Sequence, residues 1–255
     1  MAEAITAYGR HALRTIWQLA EELRLQPLYG DTDSIFLDNP TTDALSKIVA
    51  IVKERLKLDV AIDKRYSVCV LSPAKKAYFG VTEEGVADVK GLTVAKSNSP
   101  SFFRKVFDDC LSALVDVKTP EELGLRRNQI LGVFNDALKT LRTGAVPLES
   151  LTYQVELAID PAEKAKAGII QQPYQCAIQL LDSGRKVKVG DTVSFIKVRP
   201  FNYKGKTFTV KPSELIHDFQ EVNVEDYVRN LKSALDQIFE PMGIPVSEGQ
   251  NITLI

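Results

Sequence analysis

Asp31 and Asp33 stand one residue apart, and short apolar runs close in on both sides, Pro27-Leu28-Tyr29 before and Ile35-Phe36-Leu37 after. Two strand-length runs joined by Gly30-Asp31-Thr32-Asp33 predict a β-hairpin with both acids at its tip. That placement has a cost, because two carboxylates on one tight turn repel each other. A turn signal accounts for one acid more readily than for two. A divalent cation cancels the repulsion, since carboxylate oxygens replace its hydration waters. A calcium loop of the EF-hand type is excluded: counted from Asp31, its sixth and twelfth positions need Gly and Glu and hold Phe36 and Thr42. An Asp-x-Asp phosphotransferase turn would follow a buried parallel strand, which Pro27 and Gly30 spoil.

The flanking pattern is mixed. Leu13, Ile16, Trp17, Ala20 and Leu23 recur at helical spacing and predict a helix over 4–24. A second amphipathic helix starts near Thr42, with Asp43 in its first turn. Residues 65–92 are β-rich, with a hairpin turn at Glu84-Gly85. A polar stretch, 95–101, marks a boundary, where Ser99 reads as an N-cap and Pro100 as the first helical residue. Helices are predicted over 101–116 and 120–142, the latter striped by Leu131, Phe134, Leu138 and Leu141. A strand follows over 191–198, then a terminal helix ending at Gly243. The fold class is α+β, antiparallel hairpins with flanking helices in 1–95 and a mainly helical region with a small β element in 96–255.

Composition narrows the chemistry. The chain has 255 residues, 45% of them hydrophobic and 25% charged, which suits a globular protein. Every apolar run is broken before it reaches the ~20 residues of a membrane span, so no membrane partner is expected. Cys69, Cys110 and Cys176 are odd in number and share no metal spacing, so a reducing, cytoplasmic setting fits. His11 and His217 are the only histidines, and neither is near a cysteine. A bound metal would therefore be held by oxygen: magnesium, manganese or calcium. Net charge is −1, yet residues 64–105 carry eight cations against three acids, and 182–211 carry eight against two. Charge separated in this way can build a positive groove on a near-neutral molecule.

The segment Tyr29-Gly30-Asp31-Thr32-Asp33-Ser34-Ile35-Phe36-Leu37 strongly resembles the third palm motif of family B DNA polymerases. Lys75-Lys76-Ala77-Tyr78-Phe79-Gly80 is similar to that family's Lys-Lys-Arg-Tyr element, and Val89-Lys90-Gly91-Leu92 to the Lys-Gly pair after it. Upstream, residues 2–10 resemble the helix between the second and third palm motifs. Residues 160–198 and 226–239 resemble the thumb, so the likeness covers nearly the whole chain, and archaeal members are nearest. The resemblance implies a partial palm over 1–95 and a thumb over 96–255. It implies nucleotidyl transfer assisted by Mg2+, with Mn2+ as a substitute, in which Asp33 is a metal ligand and Asp31 a supporting acid. Tyr29 and Thr32 would border the incoming dNTP. Lys75, Lys76, Tyr78, Lys90, Gly91 and Lys96 would meet primer–template DNA. A nucleoid-associated location follows.

The chain also departs from the pattern. Ala77 stands where the family has a basic residue, and Val94-Ala95-Lys96-Ser97 where it shows Val-Arg-Arg-Asp, leaving Lys96 as the approximate match. The first-motif Asp, the finger helix and the exonuclease are missing from the sequence. The expectation is either a small subunit of a split polymerase, starting at Met1 and completed by a larger chain carrying the other palm motifs, fingers and exonuclease, or a fragment trimmed from a longer catalytic subunit. The first is favoured because cutting a palm sheet leaves an unpaired edge. The alternative is a catalytically inert scaffold that binds DNA or a partner. The tail from Gln250 is faintly similar to a sliding-clamp-binding peptide, without its paired aromatics.

Overall fold

The computed structural model describes residues 2–72, 76–91, 98–166 and 169–246. The chain forms two compact units, Met1–Arg65 and Tyr66–Ile255.

The first unit runs α1 (Ala2–Glu22), β1 (Gln26–Asp31), β2 (Ser34–Asp38) and α2 (Thr42–Leu56). Thr41 caps α2: its Oγ1 accepts the Ala44 N–H at 3.2 Å. Asp43 in the first turn and Arg55 in the last complement the helix dipole. The core is small, built on Leu19, Ala20, Ile48 and Val52, with Ile16, Leu37 and Val60 packed against it. An isolated two-stranded hairpin is marginal in water, so β1 and β2 depend on α1 beneath them. Tyr29 and Phe36 also meet edge to face across the strands, 5.7 Å between ring centres.

The second unit opens with an antiparallel sheet of β3 (Tyr66–Leu71), β4 (Tyr78–Thr82) and β5 (Ala87–Lys90), in that order. Val68, Val70, Phe79 and Val81 turn one sheet face into a core shared with α3 (Ser101–Ser112), α5 (Arg127–Thr143) and α8 (Val224–Phe239). Pro100, rather than Ser99, occupies the cap position of α3, and the helix begins at Ser101, where the predicted range 101–116 starts, but ends at Ser112. The single helix predicted over 120–142 is two, α4 (Pro120–Leu125) and α5. The Arg126 N–H bonds back to Leu123 and the chain redirects, at a site where Gly124 weakens helix propensity. A second sheet, β6 (Tyr153–Glu156), β7 (Thr192–Tyr203) and β8 (Lys206–Pro212), is covered by α7 (Gln172–Asp182), which follows the short α6 (Pro161–Lys164). β8 is an edge strand. Two buried glutamines of α7 cover its backbone: Gln175 Oε1 accepts the Thr209 N–H and Gln179 Nε2 donates to Val210 C=O, both at 2.8 Å. Among the described residues no helix is long and apolar enough to cross a membrane.

Candidate functional site

The hairpin register pairs Gly30 with Ile35 and Asp31 with Ser34, which leaves Thr32-Asp33 as a two-residue loop. Such loops need positive φ at the first central residue, a place usually given to Gly or Asn. Here Thr32 takes it, at φ +49°. A β-branched residue in the left-handed region is an outlier and needs to be held there. Three hydrogen bonds do so. Thr32 Oγ1 donates to Asp31 Oδ1 at 3.0 Å, while the Asp33 N–H and Ser34 Oγ donate to the Asp31 carbonyl at 2.6 and 3.2 Å. Asp31 is half-buried at the strand end; Thr32 and Asp33 are exposed at the tip. Gly30 rests on α1, because a β-carbon there would meet Leu13 and Trp17 at ordinary van der Waals distance.

Two carboxylates on one turn offer hard oxygen donors of the kind Mg2+ and Mn2+ prefer. One Asp31 oxygen already accepts the Thr32 hydroxyl. Among the described residues no group of three or more His, Cys, Asp or Glu side chains could hold a metal ion. The donor set fits such a cation in chemistry and falls short of a full cage in number.

The remaining described residues singled out from the sequence gather at one end of the β3–β4–β5 sheet. Tyr78 and Lys90 are register partners across β4 and β5. Lys76 precedes Tyr78 in the loop closed by Ser72 N–H to Ala77 C=O, 3.1 Å. Lys76 itself has φ +62°, and Gly91, at φ +67°, packs directly on the Lys76–Ala77 backbone. Lys76 and Lys90 are exposed and Tyr78 is half-buried. Ala77 is only 4% exposed and belongs to the core, so a long basic side chain would have to leave that core to reach solvent. Lys75, Lys96 and the tail from Gln250 lie outside the described residues.

The profile of DNA polymerase family B matches residues 1–242. The chain belongs to DNA polymerase family B. "DNA polymerase 1" of Sulfolobus acidocaldarius is 32% identical over 248 residues, covering 97% of this chain and 27% of the relative. "DNA polymerase 1" of Saccharolobus solfataricus is 33% identical over the same length and shares. The solved family B DNA polymerase of the hyperthermophilic archaeon Pyrobaculum calidifontis superposes with a TM-score of 0.63 at 25% identity, over 94% of this chain and 30% of that one. The α+β class and the archaeal leaning of the sequence motifs both agree with these matches. The chain thus spans about a quarter of the length of the curated relatives it matches (27%).

Sequence reasoning missed three residues beside Tyr78: Tyr66, Gly80 and Asp88. Tyr66 O–H donates to Asp88 Oδ2 at 2.6 Å, and its ring lies over Gly80. No motif marks Tyr66 or Asp88, and Gly80 closes the Lys75–Gly80 segment without a role of its own. Two-residue periodicity run back from Val70 and Val68 puts Tyr66 on the core face, whereas the structure places it on the other.

Proposed function

We propose that this chain supplies part of the nucleotidyl-transfer centre and part of the duplex-binding surface of a DNA-directed DNA polymerase. The observation that carries the reading is the tip itself: the palm-like motif folds as a tight hairpin that holds Asp31 and Asp33 together against their mutual repulsion, on a strained Thr32. Strain of this kind persists where surroundings over-determine it and gathers at functional sites. Asp33 and Asp31 are the residues that would hold Mg2+ or Mn2+, Asp33 directly and Asp31 in support. Such cations, when bound, neutralise charge on the attacking and leaving oxygens of nucleotidyl transfer. Thr32 and Tyr29 border the position of the incoming dNTP. In the second unit, Lys75, Lys76, Tyr78, Lys90 and Lys96 contact the primer–template through its phosphates, which are read without regard to sequence. Gly91 permits the close backbone approach on which Lys76 sits. On this reading residues 1–95 are palm and 96–255 thumb.

The incomplete ligand set and the quarter-length span of the relatives support a requirement for further polymerase sequence, carried by a larger chain with the other palm acid, fingers and exonuclease. The test is primer extension by the chain alone and with that larger chain. Extension is expected only from the assembled enzyme and is expected to fall below a hundredth in Asp33→Ala, the scale at which loss of charge stabilisation in an active site is felt. Near-wild-type extension by Asp33→Ala would overturn the metal role and leave an inert scaffold, and normal extension by this chain alone would overturn the partner requirement.

A further inference from the structure

The face of the β3–β4–β5 sheet turned away from the core carries a chain of side-chain contacts across all three strands. Tyr66 O–H donates to Asp88 Oδ2 at 2.6 Å. Tyr66 on β3 thereby reaches across to Asp88 on β5, and its ring adjoins Tyr78 on β4. The two rings also meet edge-on, 6.4 Å apart at 75°.

Three features of the sheet build this chain. A β-bulge comes first: Tyr66 pairs with Thr82 and Val68 with Val81, so Ser67 is the extra residue. The bulge turns Tyr66 out of the face that Val68 and Val70 bury, as bulges do when they re-aim a side chain. Gly80 comes second, because a β-carbon there would lie 2.5 Å from Tyr66 Cδ1, and its absence lets the ring cross β4. Register comes third: Asp88 is opposite Gly80 and Lys90 opposite Tyr78, so the phenol reaches across a vacant position to the acid behind it. Burial, then the bond to Asp88, holds the Tyr66 hydroxyl far above its ordinary value, so it remains a proton donor.

Asp88 is out of place electrostatically. A carboxylate two residues from Lys90, on a face that meets a polyanion, weakens binding unless it serves another purpose. We propose that Tyr66 and Asp88 are positioning residues for duplex binding, fixing Tyr78 beside Lys90 so that the ring and the ammonium meet the primer–template as one rigid pair. This rests on the duplex-contact reading of Tyr78 and Lys90 above.

Asp88→Asn and Asp88→Leu separate the two effects of the acid, since both remove its charge but only Asn leaves an oxygen to accept from Tyr66. The full 255-residue chain would be titrated onto a fluorescein-labelled primer–template duplex and anisotropy followed, with thermal melting of each variant alongside. Asp88→Leu and Tyr66→Phe are expected to weaken binding by about fivefold, the scale of one misplaced polar contact. Asp88→Asn is expected to bind at least as tightly as the wild type, and the double variant Tyr66→Phe/Asp88→Leu no worse than either single one. Equal tightening by Asp88→Asn and Asp88→Leu, or wild-type binding by Tyr66→Phe while Tyr78→Leu is weakened, overturns the positioning role and leaves the duplex reading standing. Wild-type binding by both Lys90→Ala and Tyr78→Leu overturns the duplex reading and this proposal with it. Should Asp88→Leu fail to fold, Tyr66→Phe, which deletes one oxygen, decides the matter alone.

Discussion

Gly91 lies face to face with the peptide of Lys76: a β-carbon on Gly91 would sit 2.6 Å from the Lys76 carbonyl carbon, 3.1 Å from Ala77 Cα, and on top of the Lys76 oxygen. Two positive-φ residues, fifteen positions apart in sequence, thus hold each other in place. The obstacle is backbone, which cannot rotate aside as a side chain could. Gly91→Ala should destabilise the chain by about 3 kcal/mol, from left-handed strain together with overpacking. Urea unfolding should show the loss as a lowered midpoint, and duplex affinity should fall with it as Lys76 moves. Lys90→Ala, whose side chain is exposed, should lose affinity with its midpoint unchanged.

Thr32 should show the opposite trade. Thr32→Gly removes left-handed strain worth about 1–2 kcal/mol but also loses the exposed Thr32–Asp31 hydrogen bond and loosens the unfolded chain, so a net gain of about 0.5 kcal/mol is expected. Nucleotide incorporation by the assembled enzyme should drop, because the bond that orients the Asp31 carboxylate is gone. Parallel melting and primer-extension measurements check both signs.

Deep in the second unit, fully buried Tyr227 donates to Leu151 C=O at 2.7 Å and accepts the Lys197 N–H at 3.0 Å. Tyr227→Phe leaves both backbone groups without that partner. A loss of about 2–4 kcal/mol is expected, as two orphaned polar groups require. Chemical denaturation reads it, and duplex affinity per folded molecule should stay at the wild-type level.

Asp226 beside it should give an acid limb to stability. Burial alone would raise its carboxyl, but hydrogen bonds from Lys197, at 2.9 Å, and from Arg229 outweigh that and hold it below its ordinary value. A carboxylate depressed by folding stabilises above its unfolded pKa of about 3.9, and the benefit disappears as pH falls through the lower folded value. Asp226→Asn should therefore unfold at lower urea than the wild type at neutral pH. The gap should close as both are measured in increasingly acid buffer below the ordinary carboxylate range.

Much of this architecture is written locally. Short apolar runs gave away β1 and β2, a β-rich stretch gave away β3, helical spacing gave away α1 and α2, and the Gly30-to-Asp33 punctuation located the acidic tip, because turn chemistry and periodicity are properties of neighbouring residues. What stayed hidden depends on cross-strand partners. The Ser67 bulge reverses Tyr66 without any residue type that announces a bulge, and the value of Gly80 lies in a ring contributed by another strand. The break at Arg126 escaped for a related reason: the apolar stripe runs on through α5, and tertiary packing decides where the axis turns. The Gly91–Lys76 contact likewise joins two motifs that sequence order presents as separate.

Gly80 also bears on how this surface can change over generations. Any substitution there introduces a β-carbon into space that the Tyr66 ring fills, so drift at that codon is barred while the tyrosine remains. The reverse order is open: a smaller residue at 66 would first vacate the space, at the expense of the grip on Tyr78. Mutational histories through this sheet are therefore directional, with position 80 free to change only after position 66.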